Sequence, residues 1–148
     1  MERERRKFII YQGIPASGKS TLAREFITGK KDWFLVNKDS IRNMRGDYWI
    51  PEQEKFIADL AIEIVGLAMD QGLNIISDDT NLNPKTIEEW KELVKFQNLT
   101  ESYYYDIEYI VVKINPDEAV ERDRKRERPV GEKVIRGFYE RYKEMYDL

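Results

Sequence analysis

The chain contains neither cysteine nor histidine in its 148 residues. Without thiols there can be no disulfide, no thiolate nucleophile and no cysteine ligand for zinc, a composition that suits a reducing compartment. Without imidazole, any proton-accepting base must be a carboxylate, a lysine or a tyrosine. No apolar run approaches the roughly 20 residues of a membrane-spanning helix, and no secretory leader is read ahead of the first strand, so no membrane partner is expected. Charge of one sign is also lacking. The formal net charge is −3, which excludes broad, non-specific binding of polyanions. Internal repeats, low-complexity stretches and linkers are absent too. What remains is 41% hydrophobic and 12% aromatic, enough to bury a core, and residues 1–148 read as one domain.

Against that background, Gly13-Ile14-Pro15-Ala16-Ser17-Gly18-Lys19-Ser20 stands out as G-x-x-x-x-G-K-[ST], the phosphate-binding loop. Its glycines let the backbone turn so that successive amides point at phosphate oxygens. Lys19 can reach the β- and γ-phosphates, and the Ser20 hydroxyl can ligate a magnesium ion bridging them. The setting agrees: Lys7 to Tyr11 reads as a buried strand and Lys19 to Thr28 as a helix, whose N-terminal dipole favours an anion. Gly13, Ser17, Gly18, Lys19, Ser20 and Thr21 are therefore the expected nucleoside triphosphate contacts.

Strand and helix patterns alternate beyond the loop. Trp33 to Val36 and Leu73 to Ser77 read as short strands, and Tyr104 to Ile114 holds a fourth. Pro51 to Gln71 carries apolar residues at helical spacing, with Gly72 as a stop. Further helices are predicted from Pro84, with Ile87, Trp90, Leu93 and Val94 on one face, and from Pro116 into the basic cluster at 122–128. A last helix follows Pro129 and groups Val134, Ile135, Phe138, Tyr142 and Met145. The basic residues 3–7 are expected as a solvated tail, and Tyr103 to Tyr105 as half-buried strand residues. Alternation of this kind implies an α/β fold, a parallel sheet of about four to five strands flanked by helices. In such sheets ligands sit beyond the carboxyl ends of the strands, so the polar segments after strands one to three should share a cleft.

Three groups in those segments carry chemistry. Asp39 follows strand two, where a carboxylate could take a hydroxyl proton as the oxygen attacks phosphorus. Arg42, three residues on, would share its helix face and hold an anionic group of the acceptor; the structural alternative is an N-cap aspartate beside a surface arginine. Asp78 and Asp79 follow strand three, where an acid usually orders the waters of magnesium, and the residues alone do not choose between them. Thr80 and Asn81 either serve the acceptor or cap the next helix. Arg122 and Arg126 are four apart and so on one helix face, placed either to close over the nucleotide or to pair with Glu118, Glu121 and Glu127.

Together these segments resemble the phage-type polynucleotide 5′-hydroxyl kinases, P-loop phosphotransferases related to adenylate-kinase-like enzymes. The resemblance spans nearly the whole chain. It runs through Gly13 to Phe26, Val36-Asn37-Lys38-Asp39-Ser40-Ile41-Arg42, Ser77-Asp78-Asp79-Thr80-Asn81-Leu82-Asn83-Pro84 and Arg122-Asp123-Arg124-Lys125-Arg126. It implies the adenylate-kinase-like P-loop fold with an arginine-bearing lid segment, with ATP as phosphate donor, Mg2+ as cofactor and RNA or DNA 5′ ends as partners. Asp39 would be the general base and Arg42 the grip on the acceptor's 3′-side phosphate. Asp79 would match the essential aspartate of the third motif, and Arg126, supported by Arg122, the lid arginine. The implied location is the cytoplasm, that of a host cell if the gene is a phage's, and a homo-oligomer is left open. Lys38 and Ser40 depart from the family's usual arginine and aspartate. Many relatives carry an added phosphatase domain, which residues 1–148 do not hold, so no bifunctional role is expected. The competing expectations are a small-molecule hydroxyl kinase of the same fold and a nucleotide-binding switch without transfer.

Overall fold

Phe8, Ile9, Ile10 and Tyr11 are apolar without alternation, the pattern of a strand covered on both faces. They form the centre of β1 (Glu4–Gln12), and all four are buried. The computed structural model, which describes residues 3–100 and 102–148, surrounds β1 with β2 (Trp33–Val36), β3 (Asn74–Ser77) and β4 (Tyr103–Val111). The spatial order is β2-β3-β1-β4 and every pairing is parallel. The registers Ile10 to Ser77, Val36 to Ser77 and Gln12 to Val111 bring the carboxyl ends to one edge. Parallel neighbours require helical crossovers, here α1 (Lys19–Ile27), α2 (Lys38–Arg42) with α3 (Glu54–Asp70), and α4 (Pro84–Leu99); α5 (Pro116–Arg124) and α6 (Glu132–Tyr146) follow the last strand.

The period of two in β1 sorts the core. Phe8 and Ile10 join Ile75 under α3 and α4, where Ile57, Ala61, Val65, Trp90 and Val94 pack. Ile9 and Tyr11 face the other way with Ile76, against Ala23 of α1. A third cluster joins Ile14 to Leu82, Ala119, Val120, Ile135 and Tyr142, seating α5 and α6 beneath the phosphate loop. Trp90 meets Phe8 edge to face with centroids 5.2 Å apart, a geometry worth about 1 kcal/mol beyond the area it buries.

Local expectations needed correction in three places. The basic residues 3–7 are no solvated tail. β1 begins at Glu4, because β4 lies alongside with opposite charge: Arg5 pairs with Asp106 at 3.0 Å and Lys7 with Glu108 at 3.6 Å. In α6, Ile135 and Tyr142 are buried and Phe138 packs against them, while Val134 and Met145 stay exposed. The helix from Pro116 ends at Arg124 and does not run on through the basic cluster, so Arg122 and Arg126 do not share a helix face. Tyr103 and Tyr104 are half-buried and Tyr105 is buried, as strand residues. Among the described residues, no helix is long and apolar enough to cross a membrane.

Candidate active site

The loop from Gly13 to Gly18 leaves β1 and enters α1. A Cβ on Gly13 would stand 2.7 Å from the Val112 carbonyl oxygen and 2.9 Å from Ser17 Oγ, so only glycine fits there. Gly18 takes φ 100°, the left-handed region that glycine occupies without strain. It begins a helix with no side-chain cap, whose first amides thus remain available to an anion. Lys19 is 5% exposed. Its ammonium donates to the carbonyls of Gly13 (2.9 Å) and Ile14 (2.8 Å) and to Ser17 Oγ (3.2 Å). Burial lowers its pKa to about 8, opposed by the carboxylates of Asp78 and Asp79 and reinforced by the positive charge of Arg126. The loop is fastened to the next segment by the Gly13 amide, which donates to the Thr80 carbonyl at 3.1 Å.

The segment after β2 resolves one alternative. The N-cap of α2 is Asn37, whose side-chain oxygen accepts the Ser40 amide at 3.0 Å. Asp39 is therefore not the cap, and its carboxylate is free for other work. Oδ1 accepts from Arg42 Nη1 at 2.6 Å and from the Tyr48 hydroxyl. Burial, followed by the hydrogen bond to Asp39, raises the Tyr48 pKa. Arg42 also donates Nε to Glu54 Oε2 at 2.9 Å in a two-pronged pair. Burial alone would lower the Arg42 pKa, but Glu54 and then Asp39 outweigh it and hold the guanidinium above its ordinary value.

After β3, Asp78 is buried; Oδ1 accepts from Asn37 Nδ2 at 2.6 Å, and Oδ2 has no partner among the described residues. Asp79 accepts the Lys38 amide on both oxygens, at 3.1 and 3.3 Å. Burial pushes its carboxyl up to about 6; Lys38 opposes the shift and the charges of Asp78 and Asp39 add to it. The folded chain thus holds this proton to about pH 6, whereas the unfolded chain releases it near the ordinary 3.8. Folding stability is unaffected by this group below that lower value, falls as pH rises through the interval, and stays reduced above it. In magnesium-free buffer, Asp79→Asn is expected to raise the melting temperature by roughly 5 °C at pH 7.5, about 2 kcal/mol, and by nothing near pH 4. Equal melting temperatures at pH 7.5 would show that the carboxylate ionises in the fold without penalty.

Of the two roles open to Asn81, acceptor contact or helix cap, the cap is taken by Asn83, whose Oδ1 accepts the Lys85 amide. Asn81 is 2% exposed at φ 48°. Its amide donates to the Tyr11 carbonyl and Ser77 Oγ, both at 2.9 Å, and its oxygen accepts from Trp90 Nε1 at 3.1 Å. With both amide hydrogens and one acceptor site used inside the fold, it rivets the end of β3 to β1 and the core.

The arginine segment is arranged differently from a helix face. Arg122 sits on α5, pairs with Glu118 at 2.9 Å, and has a guanidinium nitrogen 3.6 Å from where a Gly18 Cβ would be. Asp123 is 1% exposed and accepts the amides of Val130 and Gly131, both at 2.9 Å. That capture turns the chain back, so Arg126 projects from a loop, 3.6 Å from Asp123. Arg128 crosses to the opposite wall, where it donates to Asn43 Oδ1 at 2.5 Å and stacks on the Tyr48 ring at 4.6 Å.

These groups surround one cleft of about 1550 Å³; every expected site residue lines it except Gly13, which is buried in the loop beneath. Lys19, Ser20, Asp39, Arg42, Asp79, Arg122 and Arg126 are thus brought together. Sequence reasoning missed Glu54, Tyr48, Trp49 and Arg128, which line it too. Glu54 reads from sequence only as an acid in the first turn of α3. The one signal for Trp49 was an aromatic residue in a stretch with no apolar periodicity to absorb it.

A family described as AAA domain (AAA_33) matches residues 8–145. A protein of Autographa californica nuclear polyhedrosis virus, named "Putative bifunctional polynucleotide kinase/RNA ligase", is 25% identical over 93% of the chain and 21% of its own length. The solved Pnkp1/Rnl/Hen1 RNA repair complex contains a chain that is 27% identical, with a TM-score of 0.78 over 99% of this chain and 48% of that one. A second structure of the Pnkp1/Rnl/Hen1 complex is 30% identical, with a TM-score of 0.68 over 82% of this chain and 40% of that one. The chain therefore spans about a fifth of the viral relative and under half of the solved ones.

Proposed function

The chain belongs to the AAA domain family, and from that premise we propose that it is a P-loop phosphotransferase that moves the γ-phosphate of ATP to the 5′-hydroxyl end of RNA or DNA. The observation that carries the reading is the Asp39 and Arg42 pair at the end of β2, opening on the same cleft as Lys19. A base and an anion grip beside a phosphate loop suit an acceptor that has both a hydroxyl and a phosphate. A nucleic-acid 5′ end has both. The viral relative named "Putative bifunctional polynucleotide kinase/RNA ligase" supports the same choice.

The residues fit a triphosphate and its metal. The uncapped start of α1, the Gly13 cradle and the charges of Lys19, Arg122 and Arg126 suit phosphate oxygens. Ser20 would ligate Mg2+, with phosphates and waters completing its shell and the unpartnered Oδ2 of Asp78, or Asp79, holding those waters. Bound there, the metal neutralises charge on the β- and γ-phosphates. Asp39 Oδ2, which has no hydrogen-bond partner among the described residues, takes the proton of the 5′-hydroxyl as its oxygen bonds to phosphorus. The bond from phosphorus to the β-γ bridging oxygen breaks, and ADP leaves with that electron pair. Lys19 and Arg126 stabilise charge on the transferring group, and Arg42 fixes the acceptor's 3′-side phosphate as a fork to an anion.

The test is transfer of labelled γ-phosphate to 5′-hydroxyl RNA, 5′-hydroxyl DNA, a nucleoside 3′-phosphate and free nucleosides. Labelled polynucleotide ends are expected. Label on free nucleosides or sugars alone would assign the chain to small-molecule acceptors, and hydrolysis without transfer would remove the kinase reading.

A further inference from the structure

Trp49 is 59% exposed although its neighbour Tyr48 is held from several sides. Arg45 donates to the Tyr48 carbonyl at 2.7 Å and to Gln53 at 2.8 Å, and the Tyr48 hydroxyl bonds Asp39 while Arg128 covers its ring. An indole with an open face beside a residue held in this way is a surface prepared for contact. A single exposed aromatic residue is ordinary, so its position decides the matter. Trp49 lines the cleft, and its ring centroid lies 5.8 Å from the Arg42 guanidinium carbon. Arg42 itself is fixed from its other sides by Asp39 and Glu54.

We propose that Trp49 is the stacking platform for a nucleobase of the acceptor strand, next to the phosphate held by Arg42. This deepens the reading above and rests on it. A phosphate on Arg42 brings its attached nucleoside against the indole, and every base offers the π-face that stacking needs. Stacking on a side chain requires a base free of its neighbours, so the platform selects unpaired 5′ ends, tolerates any sequence, and gives nothing to sugars or simple alcohols.

The test compares wild type, Trp49→Phe and Trp49→Ala on 5′-hydroxyl oligonucleotides, with and without a base on the terminal and adjacent nucleotides. Trp49→Ala is expected to raise the acceptor KM roughly tenfold, with the ATP KM unmoved. Trp49→Phe should recover most of the loss, and the advantage of base-bearing over abasic acceptors should shrink only in Trp49→Ala. Adenosine 3′-monophosphate added without ATP should quench indole emission in wild type and far less in Trp49→Phe. Unchanged acceptor KM in Trp49→Ala, with transfer intact, overturns the proposal and leaves the indole as a contact for another protein. Failure of the underlying reading looks different: wild type then labels no polynucleotide at all. In that case the quenching comparison still decides the platform, and equal quenching in wild type and Trp49→Phe overturns it.

Discussion

Asp39→Asn is expected to lower kcat for transfer to a 5′-hydroxyl acceptor by about 10²–10⁴, while the affinity for ATP stays within twofold. The substitution keeps the shape of the side chain. An amide oxygen can still accept from Arg42 and Tyr48, as Oδ1 does now, so the acceptor pocket should survive. What is lost is a group that can hold a proton. With no histidine in the chain, no neutral base stands ready as a substitute, and Asp79 is engaged with the Lys38 amide. Single-turnover rates at saturating ATP, with nucleotide affinity from calorimetry, check the split. Turnover like that of wild type would end the general-base assignment, and a parallel loss of ATP affinity would point to damage of the site as a whole.

Arg42→Ala should act on the other substrate. We expect kcat/KM for a nucleoside 3′-phosphate acceptor to fall about 10²–10³, the usual loss when one partner of a buried charge pair is cut away, with little change in the KM for ATP. Arg42→Lys should recover only part of the loss, because an ammonium cannot fork between Glu54 and an anion as a guanidinium does. Glu54→Gln is the informative control. It removes one of the groups that fix Arg42, so it should weaken acceptor binding less than Arg42→Ala does. Equal losses for acceptor and ATP in Arg42→Ala would take Arg42 out of the acceptor site.

The parts of the site that could be read in the sequence were those whose chemistry depends on fixed local spacing. The phosphate loop is local, because amides, lysine and hydroxyl must follow one another along a single turn. The Asp39 and Arg42 pair is local as well, since three residues of helix bring them together. The alternation of elements sufficed to place three carboxyl-terminal loops at one edge. What escaped depends on partners distant in the chain. Arg126 leaves its helix because a buried Asp123 captures the Val130 and Gly131 amides. Asn81 looks like a polar loop residue until Trp90 and the Tyr11 carbonyl are placed beside it. The start of β1 follows from acids on β4 that meet Arg5 and Lys7, and the partnership of Glu54 with Arg42 from the return of the chain into α3.

The grip of Asp123 on the amides of Val130 and Gly131 also bears on speed. The arginine-bearing loop leaves that residue and returns to its carboxylate, so both ends are tethered at one point. It resembles a leash more than a door on a hinge. Arg126 and Arg128 then reach across the cleft mainly by rotating their own side chains, on the nanosecond scale of rotamer changes rather than the microseconds to milliseconds of swinging domains. On the proposed reading, opening and closing of this loop need not pace the transfer.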